Sequence, residues 1–185
     1  MPYSDPNSIH NPATGTSPAA SWGDNIRDNI VWLAGDAASG GSKPMCRVYH
    51  NASQNIATAT WTAITLNSER YDVGGMHSTV TNTSRITIPS GGAGVYHLFA
   101  QVRFATNATG IRAVRLWLNG TTSIAQRNSS ATSTDPCHIG ISCDYKLSAA
   151  DYVEVQVYQA SGGLLAVESA SAESPEFGCH WVGVG

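Results

Sequence analysis

After residue 45 the chain alternates apolar and polar positions in short runs, the period-two signature of strands with one buried face. Ile139, Ile141, Cys143, Tyr145 and Leu147 alternate with polar residues, and Val153, Val155 and Val157 do the same. Arg112, Val114, Leu116 and Leu118 alternate with Ala113, Arg115 and Trp117. The Asn119-Gly120 dipeptide then predicts a two-residue hairpin into Thr122–Arg127. Further runs at 46–50, 60–66, 85–89, 164–167 and 177–184 bring the expectation to nine or ten strands with no helix among them. Many short strands separated by turn residues predict an all-β, two-sheet sandwich.

Two strands depart from the one-face rule. Val95–Phe104 carries Tyr96, Leu98, Val102 and Phe104 on one face and Val95 and Phe99 on the other. The last strand sets Phe177, Cys179 and Trp181 against His180, Val182 and Val184. A second apolar face needs a cover. A symmetric partner would supply it, and so would the chain's own N-terminal helix.

The period changes upstream. Pro2, Pro6, Pro12 and Pro18 fit an extended arm. Ser17 and Pro18 form a helix start, and Trp22, Ile26, Ile30 and Leu33 recur on one helical face before Gly35. That stripe fits packing on the chain's own domain or anchoring to a partner. Ala37-Ala38-Ser39-Gly40-Gly41-Ser42 is a linker by composition. The expected division is arm, helix and linker over 1–45 and the β sandwich over 46–185.

Composition narrows the function. Charged residues are 12% of the 185 and hydrophobic ones 42%, a β-protein balance that excludes wholesale disorder. The net charge of -3 belongs to residues 1–36, where Asp5, Asp24, Asp28 and Asp36 face Arg27 alone. The remainder is neutral, which permits self-association, and no basic cluster serves a nucleic acid. No apolar run is long enough to span a bilayer. With no export signal at Met1-Pro2-Tyr3-Ser4, Cys46, Cys137, Cys143 and Cys179 are expected as free thiols. A Cys46–Cys179 bridge stays open if the first and last strands are neighbours. Gly140-Ile141-Ser142-Cys143-Asp144 is no nucleophile elbow, Gly91-Gly92-Ala93-Gly94 lacks the lysine and helix of a phosphate loop, and no carboxylates form a visible pair. No catalytic residue is expected, and the chain reads as a non-enzyme.

Several segments together carry a family resemblance. Ile86-Thr87-Ile88-Pro89, Gly94-Val95-Tyr96 opening a long apolar strand, Leu147-Ser148-Ala149-Ala150-Asp151-Tyr152-Val153 and the terminal Phe177-Gly178 resemble the C1q/TNF-like jelly roll over residues 46–185. Ala150 stands where that family usually has glycine. Cys46-Arg47-Val48-Tyr49-His50-Asn51-Ala52, Leu116-Trp117-Leu118-Asn119-Gly120 and Trp22-Gly23-Asp24-Asn25-Ile26-Arg27-Asp28-Asn29 are similar to structural proteins of tailed-bacteriophage virions.

The resemblance implies a homotrimer whose inner sheet turns its outer face to the three-fold axis. Val95, His97, Phe99, His180 and Trp181 would form that interface. It also implies a virion protein, assembled in the host cytoplasm and serving as capsid decoration or head fibre. Such a protein would dock on a capsid or tail protein through Trp22, Ile26, Ile30 and Leu33. The alternative is a minor tail or receptor-binding protein that contacts host surface glycans. Tyr152 and Tyr158, exposed across from the valines of their strand, are the candidate contact face. In a trimer His97 or His180 would gather in threes at the axis, but a hydrogen-bonded interface histidine is the simpler reading. No metal or cofactor is expected.

Overall fold

The structure, a computed structural model, describes residues 43–170 and 173–185. The arm, the helix and the Trp22, Ile26, Ile30, Leu33 stripe lie outside the described residues. Twelve strands follow one another: β1 (Met45–Tyr49), β2 (Gln54–Ile56), β3 (Thr62–Ala63), β4 (Ser68–Val73), β5 (Arg85–Thr87), β6 (Gly94–Phe104), β7 (Ile111–Leu118), β8 (Thr122–Ser130), β9 (Cys137–Leu147), β10 (Tyr152–Gln159), β11 (Leu165–Val167) and β12 (Glu176–Gly183). Among the described residues no helix is long and apolar enough to cross a membrane.

The strands divide into two antiparallel sheets. One runs β2-β11-β6-β12-β1-β4, with β9 on the other edge of β6. The second runs β3-β10-β7-β8, with β5 also on β10. This is the two-sheet sandwich expected from the alternation, in the jelly-roll form that the resemblance implies. The core lies between the sheets, where Tyr96, Leu98, Val102 and Phe104 of β6 meet Val114 and Leu116 of β7 and Val153, Val155 and Val157 of β10. Burying each such side chain stabilises the fold by about 1.5–3 kcal/mol. Asn119 and Gly120 have φ of 51° and 68°, and Thr121 N–H donates to Leu118 C=O at 3.0 Å, closing the expected hairpin turn.

Three details differ from the sequence reading. The 60–66 run is mostly irregular, with ladder pairing to β10 at Thr62 and Ala63 and one further bond from Ile64 N–H to Val155 C=O. β4 had no apolar signal because its side chains make polar contacts: Arg70 reaches Glu176, Glu69 reaches His77, and Asp72 accepts the Met76 and His77 N–H groups. Ala150 adopts φ of 70°, the left-handed turn conformation that suits glycine, so the unusual alanine is held at a cost of about 1 kcal/mol.

Cys46 and Cys179 lie directly opposite one another on β1 and β12. Both are free thiols, so the strands are neighbours without the bridge. Burial, aided by Asp72 and then Cys179, pushes the Cys46 thiol far above its ordinary range. Cys179 is pushed up to about 12, by burial first and then by Asp72. Tyr96 is also raised to about 12, chiefly by burial and then by Cys179. Its hydroxyl donates to Gly92 C=O at 2.6 Å.

These shifts have a defined sign. A group raised in the folded state ionises first in the unfolded chain. Its stabilisation is complete below the ordinary thiol and phenol range and is lost as pH climbs toward 12. We expect the urea midpoint to fall steadily above about pH 9, each group removing up to about 1.4 kcal/mol per pH unit. A midpoint that stayed flat to pH 11 would contradict this burial.

The two poles of the sandwich are distinct. At one, Trp181 N–H donates to Pro44 C=O at 3.0 Å, and Lys146 Nζ donates to Gly185 C=O at 2.9 Å. At the other, β6 leads into the 105–110 loop, where Gly110 abuts Ala160, and Gly162 N–H donates to Thr58 Oγ1.

Candidate functional site

Directly opposed residues of an antiparallel sheet share a face. The register therefore reads out the outer face of the β9-β6-β12-β1-β4 region row by row. One row holds Asp144, His97, His180 and Met45. The next holds Ser142, Phe99, Gly178, Arg47 and Tyr71. Beyond it come Gly140, Gln101 and Glu176.

This face is amphiphilic rather than water-adapted. Val95, His97 and Phe99 are half-buried, and Met45 and Tyr71 are exposed. The Phe99 ring lies flat over Gly178, where an added Cβ would come within 2.4 Å of its Cζ. His97 stacks on Phe99 with ring centroids 6.2 Å apart.

Beside Phe99 the face is concave. A hollow of about 730 Å³ is lined by Arg47, His97, Phe99, Gln101, Arg127, Ser142 and Glu176, among others. At its floor Glu176 is 3% exposed, although it is a carboxylate. It accepts from Arg47 Nε at 2.8 Å and from Arg70 Nε at 2.6 Å. Two guanidinium groups thus compensate its desolvation and fix the floor.

The opposite sheet has its own outer cluster. The Arg115 guanidinium lies 3.6 Å from the Trp117 ring centroid and 4.2 Å from that of Trp61. Its Nε and NH2 donate to Gln156 Oε1 at 3.0 and 2.6 Å. Partial burial between the rings lowers its pKa. Trp61 leans on Tyr158 at 5.5 Å, and Arg85 covers Tyr152 at 4.4 Å. These rings are half-buried on a sheet face and held rigid by planar partners.

Structural comparison places the architecture. Murine APRIL superposes with a TM-score of 0.57 at 12% identity, covering 76% of this chain and 99% of that one. Eiger TNF from S. frugiperda gives 0.57 at 15%, covering 77% and 95%. The globular domain of zebrafish complement 1qA gives 0.55 at 16%, covering 77% and 99%. The fold is a C1q/TNF-like jelly roll. No protein-family model matches the sequence, and no curated protein does.

Within this jelly roll the residues singled out from sequence fall into place unevenly. Val95, His97, Phe99 and His180 share the outer face of the β6 sheet. Trp181 does not. It is registered with Tyr96, packs toward the core, and sets its indole over Gly94, where an added Cβ would come within 2.2 Å of Nε1. Tyr152 and Tyr158 do lie on one outer face, on the sheet opposite the histidines.

Sequence reasoning missed Glu176, Arg47 and Arg70, which come from three strands and meet only through register. It also missed Trp61 as a partner of Tyr158, and Trp61 and Trp117 as partners of Arg115. Asp144 gave no signal, because its role depends on pairing opposite His97.

Proposed function

We propose that the chain is a non-enzymatic structural protein of a tailed-phage virion, a homotrimer that decorates the capsid or forms a head fibre. One observation carries the trimeric part: a concave outer face on the β6 sheet, centred on Phe99, that is apolar enough to want a cover. Three copies turning this face to a common axis would cover it symmetrically. Val95, His97, Phe99 and His180 contribute to that interface.

The virion context rests on the sequence resemblance of residues 22–29, 46–52 and 116–120. In this reading residues 1–45 are the arm and linker, and Trp22, Ile26, Ile30 and Leu33 seat on a capsid or tail protein. Three arms on one head raise the effective concentration of each, so weak single contacts sum to firm attachment.

The test has two parts. Light scattering should give three times the 19.5 kDa chain mass, and a trimer should persist after deletion of residues 1–42. The Trp22→Ala, Ile26→Ala double variant should remain trimeric and fail to enter particles. A monomer would overturn the assembly, and normal incorporation would overturn the anchor.

A second reading, a minor tail or receptor-binding protein that contacts host surface glycans, is favoured by the Trp61–Arg115–Trp117 cluster with Tyr158 and Tyr152. Flat aromatic rings beside planar hydrogen-bonding groups suit sugar faces. Binding of the trimer to host cells rather than to capsids would select it.

A further inference from the structure

His97 and His180 occupy directly opposed positions on β6 and β12, and their ring centroids are 5.2 Å apart. Asp144, opposite His97 on β9, accepts from His97 Nδ1 at 2.7 Å. A carboxylate oxygen only accepts, so Nδ1 is the donor, and in the neutral imidazole Nε2 then carries the lone pair. A carboxylate behind an imidazole is the arrangement that fixes the tautomer, orients the ring and raises its basicity as a metal ligand. Two imidazole nitrogens on one tetrahedral ion, each about 2.0–2.1 Å away, lie roughly 3.4 Å apart. Rings with centroids at 5.2 Å meet that spacing when their nitrogens turn toward each other.

The surroundings agree. His180 is exposed and His97 half-buried, so both are reachable from solvent. The neighbouring cation on β9, Lys146, is turned to the Gly185 carbonyl. Phe99 stacks on His97 as well.

We propose that His97 and His180 form a chelating pair for a divalent transition-metal ion of the zinc class, with Asp144 as the positioning residue. Among the described residues no three His, Cys, Asp or Glu side chains converge as ligands within one protomer. The pair therefore leaves coordination positions to water or to the same pair in another copy. On the trimeric reading those copies face one another, and the ion would tie the protomers together. The pair itself lies within one protomer and stands without that reading.

The test is zinc binding to the full chain by isothermal titration calorimetry, with light scattering on the same samples. We expect saturable binding that His97→Gln and His180→Gln each abolish. Asp144→Asn should weaken it by about 10–100-fold while the trimer mass is unchanged. Binding in a monomeric sample would sink the trimer and leave the chelate standing. Absence of zinc binding, or binding indifferent to His180→Gln in a variant with the parent circular dichroism, would overturn the site. His10, His50, His77 and His138 remain in every variant, so adventitious histidine binding would show as that indifference.

Discussion

The Phe99→Asp chain should be a folded monomer of 19.5 kDa where the parent is expected at three times that mass. Phe99 sits in the middle of the outer face, over Gly178 and between His97 and the hollow floored by Glu176. Within one protomer it is only half-buried, so a carboxylate there still reaches water and the sandwich survives. In a trimer three such carboxylates would be brought together away from solvent. An uncompensated buried charge costs several kcal/mol, and here it enters three times with mutual repulsion. Light scattering with circular dichroism separates the outcomes. A monomer with the parent spectrum supports the interface, and an unchanged mass would move the contact to another face.

Arg112→Ala should lower stability by about 3–5 kcal/mol, read as a shift of the urea midpoint at unchanged slope. Arg112 is fully buried and its hydrogen-bond partners are carbonyl oxygens. Its NH1 donates to the Thr109 and Ile111 carbonyls at 2.9 and 3.0 Å, and its NH2 to the Asn107 carbonyl at 3.0 Å and Oδ1 at 3.3 Å. Burial lowers its pKa. The guanidinium thus acts as a multi-pronged donor that closes the 105–110 loop onto β7. Truncation would leave those carbonyls facing a void with no donor, a loss on top of the cavity itself. A midpoint within 1 kcal/mol of the parent would mean that water replaces the side chain.

Arg112 also shows how far the sequence could be read. The alternation of β7 put it in the same row as Val114 and Leu116, which is where it lies. Nothing local said that a charged residue in an apolar row would be satisfied by carbonyls three and five residues back. Period two likewise exposed β6, β7, β9, β10 and β12, because each buries one face. It failed for β4, an edge strand whose side chains make ion pairs instead of core.

The association face was legible in part. Val95 and Phe99 stood out as apolar residues on the wrong side of a core strand. Trp181, placed in the interface by the resemblance, lies on the other side of its strand from His180, as alternation requires. Contacts between distant strands were beyond reach, since Glu176 with Arg47 and Arg70, or Trp61 with Arg115, depend on a register that only folding fixes.

The two poles carry a practical consequence. Pro44 and Gly185 both lie at one pole, while Ser161–Gly163 and the 105–110 loop crown the other, separated by the eleven residues of β6, roughly 33 Å. Both joints to a host protein would therefore lie at the same pole. A peptide grafted at Ser161–Gly163 would then be presented outward, a strand's length away from whatever holds the base.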